Sequence, residues 1–204
     1  MARRFSGGRL VIATHNRGKA GEIGQMLQGL NVEMISAAEL DLAAPAETGA
    51  TFEENATLKA HAAAHGCGLP ALADDSGLCV AGLDGQPGVA TADWEGPSRD
   101  AMMGMQRIQA ELQARGLGES PEARRAVFVC VLALAWPDGH CEVVRGEMPG
   151  GIVWPPRGTG GHGYDPVFQP EGSALTCAEM TPEAKNAVSH RGKAFRRLIE
   201  LCFR

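Results

Sequence analysis

Four stretches of the chain gather residue types able to bind anions, hold metal ions or move protons. The first is Thr14-His15-Asn16-Arg17-Gly18-Lys19, set between an apolar run at 10–13 and the helically spaced Ile23, Met26, Leu27 and Leu30. A turn from strand into helix offers backbone N–H groups and the positive end of the helix dipole to an anion. Arg17 and Lys19 add full charges. The segment is not a Walker A loop, because Ala13 stands where that loop has its first Gly, and Lys19 is followed by Ala20 in place of Ser or Thr. Taken alone, a polar turn with solvated basic side chains accounts for it equally well.

The second stretch, Asp74-Asp75-Ser76-Gly77, lies between short apolar runs at 71–73 and 78–81. That places two adjacent carboxylates at the C-terminal edge of a short strand, where open α/β sheets hold their ligands. Adjacent carboxylates repel each other, and a divalent cation relieves the repulsion; Glu47, Glu53 and Glu54 could supply further oxygens. An Asx-type turn is the competing reading. The third stretch, Gly158-Thr-Gly-Gly-His-Gly-Tyr-Asp-Pro166, contains a literal G-x-G-x-x-G, but Tyr164-Asp165-Pro166 follows where a helix should open. Dinucleotide binding is a poor match; a glycine loop lying close to a flat ligand, or a purely structural loop, fits better. The fourth stretch is Lys185 followed by Ser189-His190-Arg191-Gly192-Lys193, whose Lys, His and Arg can donate to carbonyl or phosphate oxygens or form a solvated basic face. His61 and His65 share a helical spacing, but the residues between them are alanines and a glutamate-bearing zinc protease motif is absent.

The elements that must position these residues are legible in outline. An opening strand at 9–14 leads into a helix, and a second strand is expected at 32–36. Thr51-Phe-Glu-Glu54 has the spacing of a capping box, which predicts a helix from about Phe52 to near Gly66. Ser98 is positioned to cap a helix carrying Met105, Ile108 and Leu112 and closed by Gly116. Strands at 127–136 and 140–147 flank Pro137-Asp138-Gly139, a hairpin signal, and 149–172 reads mostly as loop. Thr181 and Pro182 open a final helix with Phe195, Leu198, Ile199 and Cys202 on one face. Early alternation of strand and helix with a late hairpin predicts an α/β fold with a mixed sheet, in one domain over 1–204.

Composition narrows the function. The 204 residues are 44% hydrophobic and 21% charged, ordinary for a globular protein, which excludes disorder, collagen and disulfide-scaffold classes. A formal charge of -5 argues against a general nucleic-acid or membrane-surface binder. The charge is uneven: residues 1–25 carry +4 and residues 185–204 carry +5, leaving -14 on the centre. Cations at the ends and carboxylates in the middle suit a polyphosphate with its metal ion, or simply solvated faces. The six cysteines form no C-x-x-C pair, which predicts reduced thiols. No apolar stretch reaches the roughly 20 residues of a membrane span, and a cytoplasmic protein is expected.

In combination, THNRGK, ETGATFEENATLKA, ALADDSGL, GTGGHGYDP and KNAVSHRG, in this order, resemble the inosine triphosphate pyrophosphatase family, the non-standard purine nucleoside triphosphate pyrophosphatases or XTP/dITP diphosphatases. The resemblance runs from about Leu10 to Leu201. It implies an α/β fold with an elongated mixed sheet flanked by helices, two lobes around a substrate cleft, and a homodimer. It further implies Mg²⁺-dependent cleavage of ITP, dITP or XTP to the monophosphate and pyrophosphate. By motif, Thr14, His15, Asn16, Arg17, Gly18 and Lys19 correspond to the phosphate loop and Lys59 to another triphosphate contact. Glu47 corresponds to a metal ligand, Asp75 to a metal ligand and proton acceptor, with Asp74 beside it and Ser76 touching substrate. His162, Gly163, Tyr164 and Asp165 correspond to the loop around the nucleoside, and Lys185, His190 and Arg191 to the base-reading group. The chain departs from the family at His162, often Phe, and at His15, often Gly. An imidazole at 162 can stack on a purine and adds a titratable donor.

Overall fold

A computed structural model describes residues 2–14 and 17–204; the side chains at 17, 18 and 20 lie outside the described set, as do His15 and Asn16 altogether. The described residues form strands β1 (Gly8–Ile12), β2 (Val32–Ser36), β3 (Ala71–Val80), β4 (Arg125–Ala135), β5 (Cys141–Ile152) and β6 (Phe168–Pro170). The helices are α1 (Arg17–Leu27), α2 (Phe52–Cys67), α3 (Ala101–Ala114), α4 (Pro182–Val188) and α5 (His190–Cys202). One mixed sheet has the order β2-β1-β3-β4-β5-β6. β1 pairs in parallel with β2, Leu10 opposite Met34, and with β3, Val11 opposite Ala71. α1 and α2 are the crossovers that parallel pairing requires. β5 and β6 are antiparallel, Ile152 opposite Phe168.

The α/β class and mixed sheet expected from the sequence are therefore present, with four local corrections. Asp74 to Gly77 does not interrupt two short runs: β3 is one strand through all four residues, and Ala71 to Asp75 are all buried. Backbone pairing continues there because the carboxylates find cationic partners. The N-cap of α3 is Asp100, whose side chain accepts from the Met102 N–H, in place of Ser98. β5 runs on through Pro149-Gly150-Gly151, where the sequence suggests loop, since those residues face β6 with Gly150 opposite Pro170. Pro170 is tolerated because β6 is the last strand in the sheet and needs no donor on its outer side.

The last helix is also split. Ser189 takes an extended conformation between α4 and α5, and its Oγ accepts from the Gly192 N–H at 2.9 Å. This bond caps α5 and starts it at His190.

The chain packs as two compact units, each from several segments. The first comprises 1–75, 130–145 and 194–204 and has a core of Leu10, Ile12, Ile23, Leu72, Leu132, Phe195 and Leu198. The second comprises 76–129 and 146–193 and is built around Leu78, Leu83, Ile108, Leu112, Met148 and Phe168. None of the six cysteines is in a disulfide. No described helix is long and apolar enough to cross a membrane.

Candidate active site

The site of the first unit is assembled by β3 and the helices before it. Lys19, in the first turn of α1, reaches Asp74 Oδ2 at 2.9 Å. Lys59, two turns into α2, bridges two carboxylates: Nζ lies 3.0 Å from Glu47 Oε1 and 3.2 Å from Asp75 Oδ1. The second oxygen of Asp75, Oδ2, is buried with no hydrogen-bond partner among the described residues. Buried polar atoms are almost always satisfied, so an unengaged carboxylate oxygen in this setting marks a place for a ligand.

Burial and the neighbouring ammonium charges act on this group in opposite directions. Burial pushes the Asp75 carboxyl above the ordinary range and the Glu47 charge adds to this, while Lys59 and Lys19 pull it down. Burial works against the Lys59 ammonium, but Asp75, Glu47 and Asp74 outweigh it and raise its pKa. Three carboxylates face two ammonium groups, and one cation would balance the excess. Among the described residues no cluster of three or more His, Cys, Asp or Glu could enclose a metal. Mg²⁺ needs no such cage: it is usually held by one or two carboxylates with substrate phosphates and water. Glu47 and Asp75, which already share one ammonium, have the donor set for that arrangement.

The other acidic candidates do different work. Glu54 Oε2 accepts from the Thr51 N–H, completing the capping box of α2, and Glu53 pairs with Arg145 at 2.8 Å. Thr14 follows β1 in the same unit, whereas predicted contacts at His15, Asn16, Arg17 and Gly18 fall outside what is described.

The second unit gathers the remaining predicted residues. Asp165 is 2% exposed; its Oδ2 accepts from Lys185 Nζ at 2.6 Å and from the His162 N–H at 2.7 Å. Lys185 thus ties the 158–165 loop to α4. Gly163 and Tyr164 lie in this loop, and the Tyr164 hydroxyl donates to the Thr91 carbonyl at 2.9 Å with its ring buried in the core. Burial, and then Glu95, push the Tyr164 phenol up, so it remains a donor. The His190 ring stacks on Phe128 at 5.0 Å and 15°. Arg191 Nη2 donates to Ser76 Oγ at 3.2 Å. His190 and Arg191 are both buried, an arrangement of fixed donors suited to reading a polar ligand edge.

Sequence reasoning missed two supports. Phe128 carries no polar signal, and only the fold places it under His190. Asn55 was visible as an amide among the apolar residues of the inward face of α2, Phe52 and four alanines, a pattern that demands a buried partner. An open groove of about 880 Å³ in the second unit, lined by Arg124, Arg125, Gly150 and Gln169 among others, includes none of these residues. Size does not make it the chemical centre.

A family model described as Ham1 family matches residues 10–201. The chain is 55% identical over 201 residues to a dITP/XTP pyrophosphatase of Rhodospirillum centenum, covering 98% of each. Among solved structures it is similar to a HAM1 protein from Coxiella burnetii, with 38% identity, TM-score 0.86, and coverage of 93% of this chain and 95% of that one. A nucleoside-triphosphatase, dITP/XTP pyrophosphatase, from Mycobacterium abscessus aligns at 40% identity and TM-score 0.78 over 94% and 98% of the two chains. These names agree with the resemblance carried by the five motifs.

Proposed function

We propose, starting from the fact that this chain belongs to the Ham1 family, that it hydrolyses dITP, XTP and ITP to the monophosphate and pyrophosphate. The observation that carries the reading is the pairing of Glu47 and Asp75 on one ammonium, with Asp75 Oδ2 left over for ligand. Mg²⁺ held by Glu47 and Asp75 would withdraw charge from the phosphate oxygens.

The chain's own residues supply the rest. Asp75 Oδ2 orients a water and accepts its proton as the oxygen is directed at the α-phosphorus. Asp74, buried against Lys19, fixes that ammonium toward the phosphates. Lys19 and Lys59 are preorganised cations for the departing pyrophosphate, whose charge rises as the bond breaks. The donors of His190 and Arg191 suit the 6-oxo group shared by hypoxanthine and xanthine. A site with buried donors discriminates strongly against a base that presents an amino group there. Lys185 acts by anchoring the Asp165 loop, so His162 and Gly163 are held where a nucleoside can lie against them.

The reading includes one functional domain over 1–204, since each unit is discontinuous in sequence and the family match spans nearly the whole chain. It also includes a cytoplasmic homodimer acting on a free nucleotide, with neither nucleic acid nor membrane as partner. Purified protein with a panel of triphosphates and Mg²⁺ tests it: dITP and XTP should be consumed far faster than dATP or dTTP. Equal rates on dTTP would favour a pyrimidine-directed relative of the same fold, and binding of ITP without pyrophosphate release would indicate a nucleotide sensor.

A further inference from the structure

Glu47 lies in a stretch, 42–50, that is neither helix nor strand, so the sheet does not hold it. α2 does. Lys59 takes the Glu47 carboxylate directly. One turn earlier on the same helix, Asn55 takes the main chain: its Oδ1 accepts from the Gly49 N–H at 2.8 Å, two residues beyond Glu47. The seat is tight, since a Cβ on Gly49 would stand 2.6 Å from Glu54 Cβ and 2.7 Å from Asn55 Oδ1. Glu54 Oε2 accepts from Ala50 N–H at 2.6 Å and Thr51 N–H at 3.1 Å. Three consecutive backbone donors are thus bound by the first turn of α2.

Asn55 is 2% exposed, on a helix face otherwise made of Phe52, Ala56, Ala60, Ala63 and Ala64. Alanine is the better helix former, and a buried amide is retained where its hydrogen bond is needed. We infer that Asn55 is a positioning residue: through the Gly49 N–H it sets where the Glu47 carboxylate stands relative to Asp75, and so how tightly the divalent cation is held. The inference rests on the reading of Glu47 and Asp75 as metal ligands. A ligand on an untethered segment must be ordered at each binding event, at a cost in conformational entropy; an anchored one is already in place.

The test compares Asn55→Ala and Gly49→Ala, which break the anchor from opposite sides, with Asn55→Asp, which keeps an acceptor oxygen. Two quantities are read: the Mg²⁺ concentration for half-maximal dITP hydrolysis, and Mn²⁺ affinity with α,β-methylene-dITP bound, followed by the EPR signal of free Mn²⁺ without turnover. Both breaking variants should weaken both quantities by roughly 10–100-fold, the usual cost of removing a group that orients a metal ligand. Turnover at saturating metal should stay near the parent value, and Asn55→Asp should recover most of the affinity. In a Glu47→Gln background, Asn55→Ala should have no further effect on Mn²⁺ affinity, because the two act through one contact.

An active parent whose folded Asn55→Ala variant shows an unchanged Mn²⁺ affinity would overturn the inference. So would an equal Asn55→Ala effect with and without the Glu47 carboxylate. Gly49→Ala keeps the comparison open if Asn55→Ala does not fold. A parent that releases no pyrophosphate refutes the proposed function instead, and the Mn²⁺ measurement then judges the anchor separately.

Discussion

Asp74 and Asp75 are neighbours in β3 yet have different surroundings. Successive side chains of a strand alternate in direction, which lets Asp74 take Lys19 and Asp75 take Lys59. Among the described residues, Asp75 Oδ2 has no hydrogen-bond partner. Asp75→Asn replaces a proton acceptor with an amide of the same shape, and turnover should fall by about 10²–10⁴-fold, the usual contribution of a general base. Circular dichroism should show the variant folded; near-parental turnover would remove Asp75 from the role. Burial pushes the Cys177 thiol up to about 12, with Asp165 adding to it, and burial likewise pushes Cys202 up to about 12. Thiolate is the reactive form, so in native protein at pH 8 neither should be alkylated by iodoacetamide, and both should react after denaturation, as peptide mass mapping would show.

At the level of elements, α2 was the most legible piece and the junctions around β3 and α5 the least. The capping box at Thr51 and Glu54 specifies a start, and the helix begins there. Thr51→Ala should cost about 1 kcal/mol through the lost N-cap, read as a lowered midpoint in urea unfolding with an unchanged slope. Asp74 to Gly77 looked like a turn because adjacent Asp, Ser and Gly residues favour turns in isolation. What overrides that preference is tertiary: Lys19 and Lys59 come from α1 and α2 to neutralise a strand that would otherwise bury bare carboxylates. The break at Ser189 was hidden for a similar reason, since a serine inside an amphipathic stretch gives no sign that its hydroxyl will cap the second half. The same logic applies to Gly104 of α3. A Cβ there would collide with the Tyr164 hydroxyl, so Gly104→Ala should destabilise by about 1–3 kcal/mol despite the better helix propensity of alanine; a higher Tm would contradict this packing.

For the molecule as a whole, the charge distribution follows the candidate residues better than the net charge does. The basic ends carry Lys19 in the first unit and Lys185 and Arg191 in the second, and the acidic centre carries Glu47, Asp74 and Asp75 of the first. Motif order identified most of the candidate residues because each is polar and each motif is local. Of the supports, Phe128 under His190 was not readable, because it acquires meaning only from a residue distant in sequence, whereas Asn55 shows as an amide in an apolar pattern but its partner, the Gly49 N–H, appears only in the structure. Two separate hydrophobic cores, each assembled from discontinuous segments, could not be inferred from periodicity either. Chelation bears on the whole arrangement: excess EDTA should abolish dITP hydrolysis, added Mg²⁺ should restore it, and the protein should stay folded throughout because both cores are independent of metal.

In the proposed reaction water, held by Asp75, attacks the α-phosphorus of a 6-oxo purine triphosphate. Turnover of dITP in H₂¹⁸O, with products resolved by ³¹P NMR and mass spectrometry, addresses it directly. The products should be dIMP and pyrophosphate, with the label in dIMP alone. Label in pyrophosphate, or release of orthophosphate, would contradict it.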